Sequence, residues 1–235
     1  MCAHVPFRSL RTRFRYYKRQ LTRLAKVHAA QCKHTAAIPD FAAMQRWLER
    51  RVPSRGATIV HGDFKIDNLV FHPTECRVIA VLDWEMSTIG HPISDLANLA
   101  AAYYVPGTTN PRKTNAMMSG LAGIDLDGSG VPQEDELVAM YCEASGRRLS
   151  DEEWAFCRAF LFFKYSVITQ GIAARQAQGS ASSAHAKHAT GMVPVVASVA
   201  RSFMDAHGGL LTTAPTAMVL EPEETVSTAP LRSKL

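Results

Sequence analysis

Two kinds of apolar pattern alternate along this chain. From Phe7 to about Gln31, residues Leu10, Phe14, Tyr17, Leu21, Leu24 and Val27 recur at three- and four-residue spacings without Gly or Pro, which predicts an amphipathic helix. A second helix is expected over Phe41 to Arg51, with Asp40 as its N-cap and Pro53 to Gly56 as its stop. The period then changes. Thr58 to Val60, Leu69 to Phe71 and Val78 to Leu82 are short, rich in Val and Ile and bounded by turn residues, which predicts buried strands. An apolar helix opening at Ser94 or Asp95 should run through Tyr104. Pro106 to Val131, rich in Gly, Thr and Asn, reads as a long loop, with Asp125, Asp127 and Gly128 in a turn.

Helical patterning then resumes. Pro132 at a first helical position and the acidic run Gln133 to Glu136 predict a helix to Ser145 that stops at Gly146. Ser150 and Glu153 form a capping box ahead of Trp154 to Gln178, a long apolar helix whose Phe156, Phe160, Phe163, Tyr165 and Ile168 make it the expected centre of the core. Gly179 to Ser183 breaks it, and a last helix is expected from about Ala184 to Ala206, closed by Gly208 and Gly209. Leu210 to Leu235, poor in aromatics and rich in Thr, Ala, Pro and Glu, reads as an unpacked tail. The fold class is therefore α+β and mostly α, as one domain over residues 1–208 and a tail over 209–235.

Composition narrows the picture. With 47% hydrophobic and 20% charged residues in 235, the chain can bury a sizeable core. No apolar run reaches the roughly 18 residues that a membrane span needs. The five cysteines are scattered without C-x-x-C pairs, and His185 and His188 lack acidic or cysteine companions, so neither a disulfide framework nor a zinc site is indicated. The chain is basic, with 26 Lys and Arg residues and a net charge of +5, and half of those basic residues precede Gly56. A solvated helix face, a nucleic-acid patch and a mitochondrial presequence all fit that run. We adopt the solvated face, because no nucleic-acid-binding motif accompanies it.

The strand segments carry the candidate chemistry. His61, Asp63, Asn68 and Asp83 fall at strand ends, in loops that a packed scaffold would fix. Such residues suit phosphoryl transfer. An alcohol attacking ATP needs a proton acceptor, for which Asp63 is the candidate. Mg2+ takes oxygen ligands and usually only one or two carboxylates, which Asn68 and Asp83 can provide. Lys65, two residues beyond Asp63, is placed to meet a phosphate as a point charge.

The order H-x-D-x-K-x-x-x-N with a later Asp resembles the catalytic loop and metal-binding Asp of protein kinases. HGDFKIDN, VLDWE and GHPISDLA together are similar to the aminoglycoside phosphotransferase and choline kinase-like family, and most of all to the branch fused to certain acyl-CoA dehydrogenases. That resemblance implies a protein-kinase-like C-terminal lobe, with short catalytic β-hairpins and a helical bundle. It implies Asp63 as catalytic base, Lys65 at the phosphate, and Asn68 and Asp83 as Mg2+ ligands, with His61 and Asp95 supporting the catalytic loop. His91 departs from the pattern, which usually has Asp there.

The resemblance covers roughly residues 7 to 207. Upstream of Asp63 there is no Gly-rich phosphate loop and no strand Lys. Either sequence is missing upstream or the protein has lost its nucleotide-gripping half, so weak Mg-ATP binding by the 235-residue chain is expected. Two functions follow. One is an ATP-dependent kinase acting on a small-molecule hydroxyl, with a hydroxyacyl-CoA or hydroxy acid as acceptor. The other is a catalytically impaired remnant that serves as a binding or interaction module. The terminal Ser233, Lys234 and Leu235 read as a peroxisomal address for an import receptor. A peroxisome or related microbody is the expected location, with cytoplasm or mitochondrion as the alternative.

Overall fold

The computed structural model describes residues 15–54, 56–107, 120–181 and 189–209. In order these form α1 (Arg15–Gln31), α2 (Phe41–Arg50), β1 (Thr58–Val60), β2 (Leu69–Phe71), β3 (Val78–Val81), β4 (Thr88–Gly90), α3 (Ile93–Ala100), α4 (Glu134–Ser145), α5 (Asp151–Ala177) and α6 (Ala189–Asp205). Single 3-10 turns cover Ile66–Asn68, Trp84–Met86 and Ala101–Tyr104. Several expected features lie outside the described residues: the helix start from Phe7 to Phe14, residues 108–119 of the long loop, the last helix's start at Ala184 with His185 and His188, and the tail with Ser233, Lys234 and Leu235.

Helix α5 is the post on which the helical body is built. Phe156, Phe162 and Phe163 on it are fully buried, among Trp47 and Leu48 of α2 and Phe203 and Met204 of α6. The basic α1 supplies its apolar stripe as expected: Tyr17, Leu21 and Leu24 are buried, and the Tyr17 ring meets Phe156 and Phe160 edge-on at 4.7 and 4.8 Å. Burying a side chain of that size removes roughly 1.5 to 3 kcal/mol of apolar exposure each time, so this interlocked cluster is what holds the helices. Ile168 alone in its turn of α5 faces outward, exposed between the buried Val167 and Thr169, although its apolar character suggested core.

Local signals resolve in detail. Ser150 Oγ accepts from Glu153 N at 3.2 Å and caps α5, while the Glu153 carboxylate lies 3.0 Å from Nε2 of the buried His91. The departure at His91 thus ties the turn ahead of α3 to the start of α5. Asp40 does not cap α2 with its side chain. It sits at φ 53°, its carboxylate pairs with Arg201 of α6, and its carbonyl takes Ala43 N and Met44 N at 2.9 Å each. Pro132 precedes α4 rather than opening it, and Gln133 N donates to Glu136 Oε2 at 2.8 Å across the first turn. The helix begun near Ser94 starts at Ile93 and tightens to a 3-10 turn after Ala100.

Four strands form two separate antiparallel pairs, β1 with β4 and β2 with β3. β4 had no counterpart in the sequence reading, because Thr88–Gly90 is too short and too Gly-rich to stand out. The expectation of buried strands is corrected. Val60 is buried, but Ile59 is 70% exposed, and Phe71, Val78 and Ile79 are exposed too. A two-stranded pair covered on one face by the helices leaves its other apolar side chains to solvent, and period two sends Ile59 out where Val60 goes in.

Candidate active site

The strand pairing assembles the site. β2 and β3 align Leu69 with Val81, and Leu82 N donates to Asn68 O at 2.8 Å. Asn68 immediately precedes β2 and Asp83 follows β3 by one residue. Antiparallel pairing therefore brings two residues 15 positions apart to the same end of one hairpin.

The loop after β1 is fixed from three sides. Asp95, in the first turn of α3, accepts His61 N on Oδ2 at 2.7 Å and Gly62 N on Oδ1 at 2.9 Å. Bonds from backbone N–H groups to a carboxylate are among the stronger kinds, so Asp95 clamps the loop to the helical body. Gly62 has φ 87°, and a Cβ there would stand 2.6 Å from Met86 O, so both conformation and space require glycine. His61 is buried and reaches both ways. Its Nε2 lies 2.7 Å from Leu82 O, and its Nδ1 lies 3.2 Å from Asp63 N. A carbonyl can only accept and an amide N–H can only donate, so the ring donates from Nε2 and accepts at Nδ1. It couples the Asp63 loop to the segment bearing Asp83.

Asp63 is held at its backbone and both carboxylate oxygens. Lys65 Nζ lies 3.0 Å from Oδ2. Asn68 Nδ2 donates to Asp63 O at 2.8 Å and more weakly to Oδ2 at 3.4 Å, and Asn98 Nδ2 approaches Oδ1 at 3.5 Å. Burial alone would raise the Asp63 pKa, but the Lys65 ammonium and the two amides outweigh it and hold the carboxyl below its ordinary range. The group is therefore ionised at neutral pH and able to accept a proton. The Lys65 pair is partly exposed, at 42% and 29% of the side chains, so it contributes little to stability and can open at little cost.

Asp83 sits at φ 65°, ψ 50°, a left-handed conformation uncommon for a residue other than glycine. Among the described residues its carboxylate takes no hydrogen bond or ion pair, and Asn68 Oδ1 takes no hydrogen bond. This donor set fits Mg2+: a free carboxylate and a free amide oxygen at one hairpin end, without the histidine or cysteine that softer metals favour. Among the described residues no cluster of three His, Cys, Asp or Glu side chains forms a site complete in itself. An ion here would need further oxygens from water or phosphate.

Three more side chains belong to this wall: sequence reasoning placed Tyr165 in the core and passed over Asn98 and Lys164. Asn98, one turn beyond Asp95 on α3, also donates to Phe64 O at 3.0 Å and accepts from Tyr165 OH at 2.9 Å. Burial and the nearby Asp63 raise the Tyr165 pKa, keeping its hydroxyl protonated and donating. Lys164, beside it on α5, is half-buried with its ammonium 5.6 Å from the Tyr165 ring centroid. A signal existed for two of them. Asn98 repeats the polar position of Asp95 at helical spacing, and Lys164 is the only charged residue between Arg158 and Arg175.

The chain is similar to several known proteins. Residues 2–159 match the model of the phosphotransferase enzyme family. Human acyl-CoA dehydrogenase family member 11 is 41% identical over 173 residues, covering 72% of this chain and 20% of the relative. Mouse acyl-CoA dehydrogenase family member 10 is 36% identical over 194 residues, covering 82% of this chain and 17% of the relative. The chain thus spans about a fifth of the length of these curated relatives. A crystal structure from Ralstonia eutropha, of a protein provisionally named an aminoglycoside phosphotransferase, superposes with a TM-score of 0.71 at 35% identity, over 83% of this chain and 56% of the other.

Proposed function

The chain belongs to the phosphotransferase enzyme family, and on that footing we propose that it moves the γ-phosphate of ATP to the hydroxyl of a small acyl-bearing molecule, a hydroxy acid or its CoA ester. The observation that carries this reading is the hairpin end, where Asn68 and Asp83 hold uncommitted oxygens beside an ionised Asp63. Phosphotransferases of this family use ATP and Mg2+ generally. Bound at Asn68 and Asp83, the ion would draw charge from the phosphate oxygens.

Asp63 takes the hydroxyl proton as the acceptor oxygen bonds to the γ-phosphorus. The bond from that phosphorus to the β,γ-bridging oxygen breaks, and ADP leaves. Because little covalent work falls to the protein, positioning and charge are what these residues provide. Asp95, His61 and Asn98 hold Asp63 in place, and Lys65 can swing from its pair with Asp63 to a phosphate oxygen. The acyl acceptor is suggested by the acyl-CoA dehydrogenase names of the relatives and by the basic charge, which suits an anionic molecule better than a polycation.

The test is transfer of labelled phosphate from Mg-ATP to 3-hydroxybutyryl-CoA by the purified chain. Transfer is expected to be slow, in keeping with weak Mg-ATP binding by this chain, and Asp63→Ala should lower it by roughly a hundredfold or more. Transfer that survives Asp63→Ala would overturn the assignment. A second reading, a catalytically impaired remnant acting as an interaction module, is favoured by the exposed apolar side of the strands. Absence of transfer, with a partner retained on that face, would select it. For location, the proposal is a peroxisome or related microbody through Ser233, Lys234 and Leu235, and a reporter bearing the last dozen residues should enter peroxisomes and lose entry when those three are removed.

A further inference from the structure

Lys164 has no structural task that explains it. It interrupts the apolar run from Ala159 to Ala174 on the central helix, where a methionine or leucine would pack without desolvating an ammonium. Its neighbours Phe162 and Phe163 are fully buried, and Tyr165 is committed to Asn98. Among the described residues the Lys164 ammonium makes no hydrogen bond and no ion pair; its contacts are the face of the Tyr165 ring and longer-range attraction to Asp63 and Asp95. The burial that lowers its pKa marks a charge kept partly dry beside the proton acceptor.

Placement decides what such a charge can do. The chain Tyr165–Asn98–Asp63 locks α5 to the reacting carboxylate through contacts of 2.9 and 3.5 Å, so Lys164 is held on the same wall as Asp63 but belongs to the helical body. Lys65, on the loop itself, already pairs with Asp63. A second cation on the other element is therefore spare. We propose that Lys164 is the acceptor anchor: its ammonium binds the acyl oxygen, carboxylate or thioester carbonyl, of a hydroxylated chain whose hydroxyl meets Asp63. This rests on the phosphotransferase reading, because it assumes that Asp63 faces the acceptor hydroxyl. Residue 164 would thereby select acyl-bearing alcohols over plain ones.

Binding of three probes to the 235-residue chain tests this without any need for turnover: 3-hydroxybutyrate, its CoA thioester and 1,3-butanediol, which keeps the hydroxyl and lacks the acyl oxygen. We expect at least one acyl probe to bind about tenfold or more tightly than the diol, the scale of one charge-assisted hydrogen bond. Lys164→Met, which keeps the apolar stem and the helix, should abolish that preference, and Lys164→Arg should keep most of it. Preference for the acid alone or for the thioester alone supports the proposal and identifies the source of the acyl oxygen. Equal affinity for all three, no binding of either acyl probe, or a preference that survives Lys164→Met overturns it. Phosphate transfer is measured separately: acyl preference without transfer would sink the phosphotransferase reading and leave Lys164 only an acyl-binding residue, and transfer without acyl preference would sink only the anchor.

Discussion

The helical body and the strand pairs are made of the same kinds of residue and treat them in opposite ways. In the body, large apolar side chains interlock around α5 until Phe162 and Phe163 have no exposure at all. In the strand pairs, Ile59, Phe71, Ile79 and, beside them, Leu82, Trp84 and Met86 stand in solvent. The polar groups are reversed as well. His61 and Asp63 at the strand ends are knitted to backbone and to their neighbours, with Asp83 left open, whereas the apolar faces there have little to pack on. The body is thus held by packing and the site by hydrogen bonds, with Asp95 and Asn98 on α3 joining the two. A site built this way can keep its polar geometry while its apolar face stays open.

The sharpest break in this comparison should come from a cavity in the body. Phe162→Ala removes a ring fully enclosed between Tyr104 and Phe203, at centroid distances of 5.9 Å to each. A loss of about 3 to 5 kcal/mol is expected, read as a fall in the denaturation midpoint. A loss under 1 kcal/mol would mean that the body is not held by packing.

The joint between the halves should give the next largest effect. Asn98→Ala leaves Phe64 O and Tyr165 OH without their partner and loosens one side of Asp63. About 1 to 3 kcal/mol of stability should be lost, with a drop in turnover that Tyr165→Phe reproduces only in part. If Asn98→Ala changed turnover no more than Tyr165→Phe, the bond to the loop would not be what matters.

These contrasts explain what could be read in advance. Most helices were legible because they hide an apolar stripe within this chain, whereas α4, which buries no residue fully, was legible from its acidic first turn. The hairpin strands were legible as strands, yet their burial was misjudged, since Ile59 and Ile79 look the same in sequence whether or not something covers them. The residues of the HGDFKIDN and VLDWE motifs could be named from sequence because they lie within a few positions of one another. Asn98, Tyr165 and Lys164 could not be placed, because only the packing of α3 against α5 brings them to Asp63. Asp40 holds the N-cap position of α2 as read, but its carboxylate goes to Arg201, whose nearness no local pattern shows.

A smaller effect concerns pH. Asp63 is held below the ordinary carboxylate range mainly by Lys65, against the opposing pull of burial. Its ionised form, and whatever stability it contributes, is present above the unfolded pKa and is lost only as pH falls through the lower folded value. Lys65→Met should shift the acid limb of the rate profile upward, toward or past the ordinary carboxylate value. An unmoved limb would show that the two amides alone hold the charge.

The smallest change in stability should come from the open apolar face, and it tests the other side of the comparison. Ile59 and Ile89 are directly opposite in the β1–β4 pair and both are exposed, so they are cross-strand neighbours that bury little. Threonine keeps the β-branched shape that strands favour, while removing apolar surface from solvent. Cross-strand pairs of this kind contribute roughly 0.2 to 1 kcal/mol, and an exposed site should fall at the low end. Ile59→Thr is therefore expected to change the denaturation midpoint by less than about 0.5 kcal/mol in stability. Its visible effect should be on association, because a contiguous apolar patch promotes self-contact and its interruption reduces it. Light scattering of the two proteins at matched concentration measures that difference. A destabilisation comparable to that of Phe162→Ala would show that the strand face is packed after all, and the division into a packed body and an open, hydrogen-bonded site would fail.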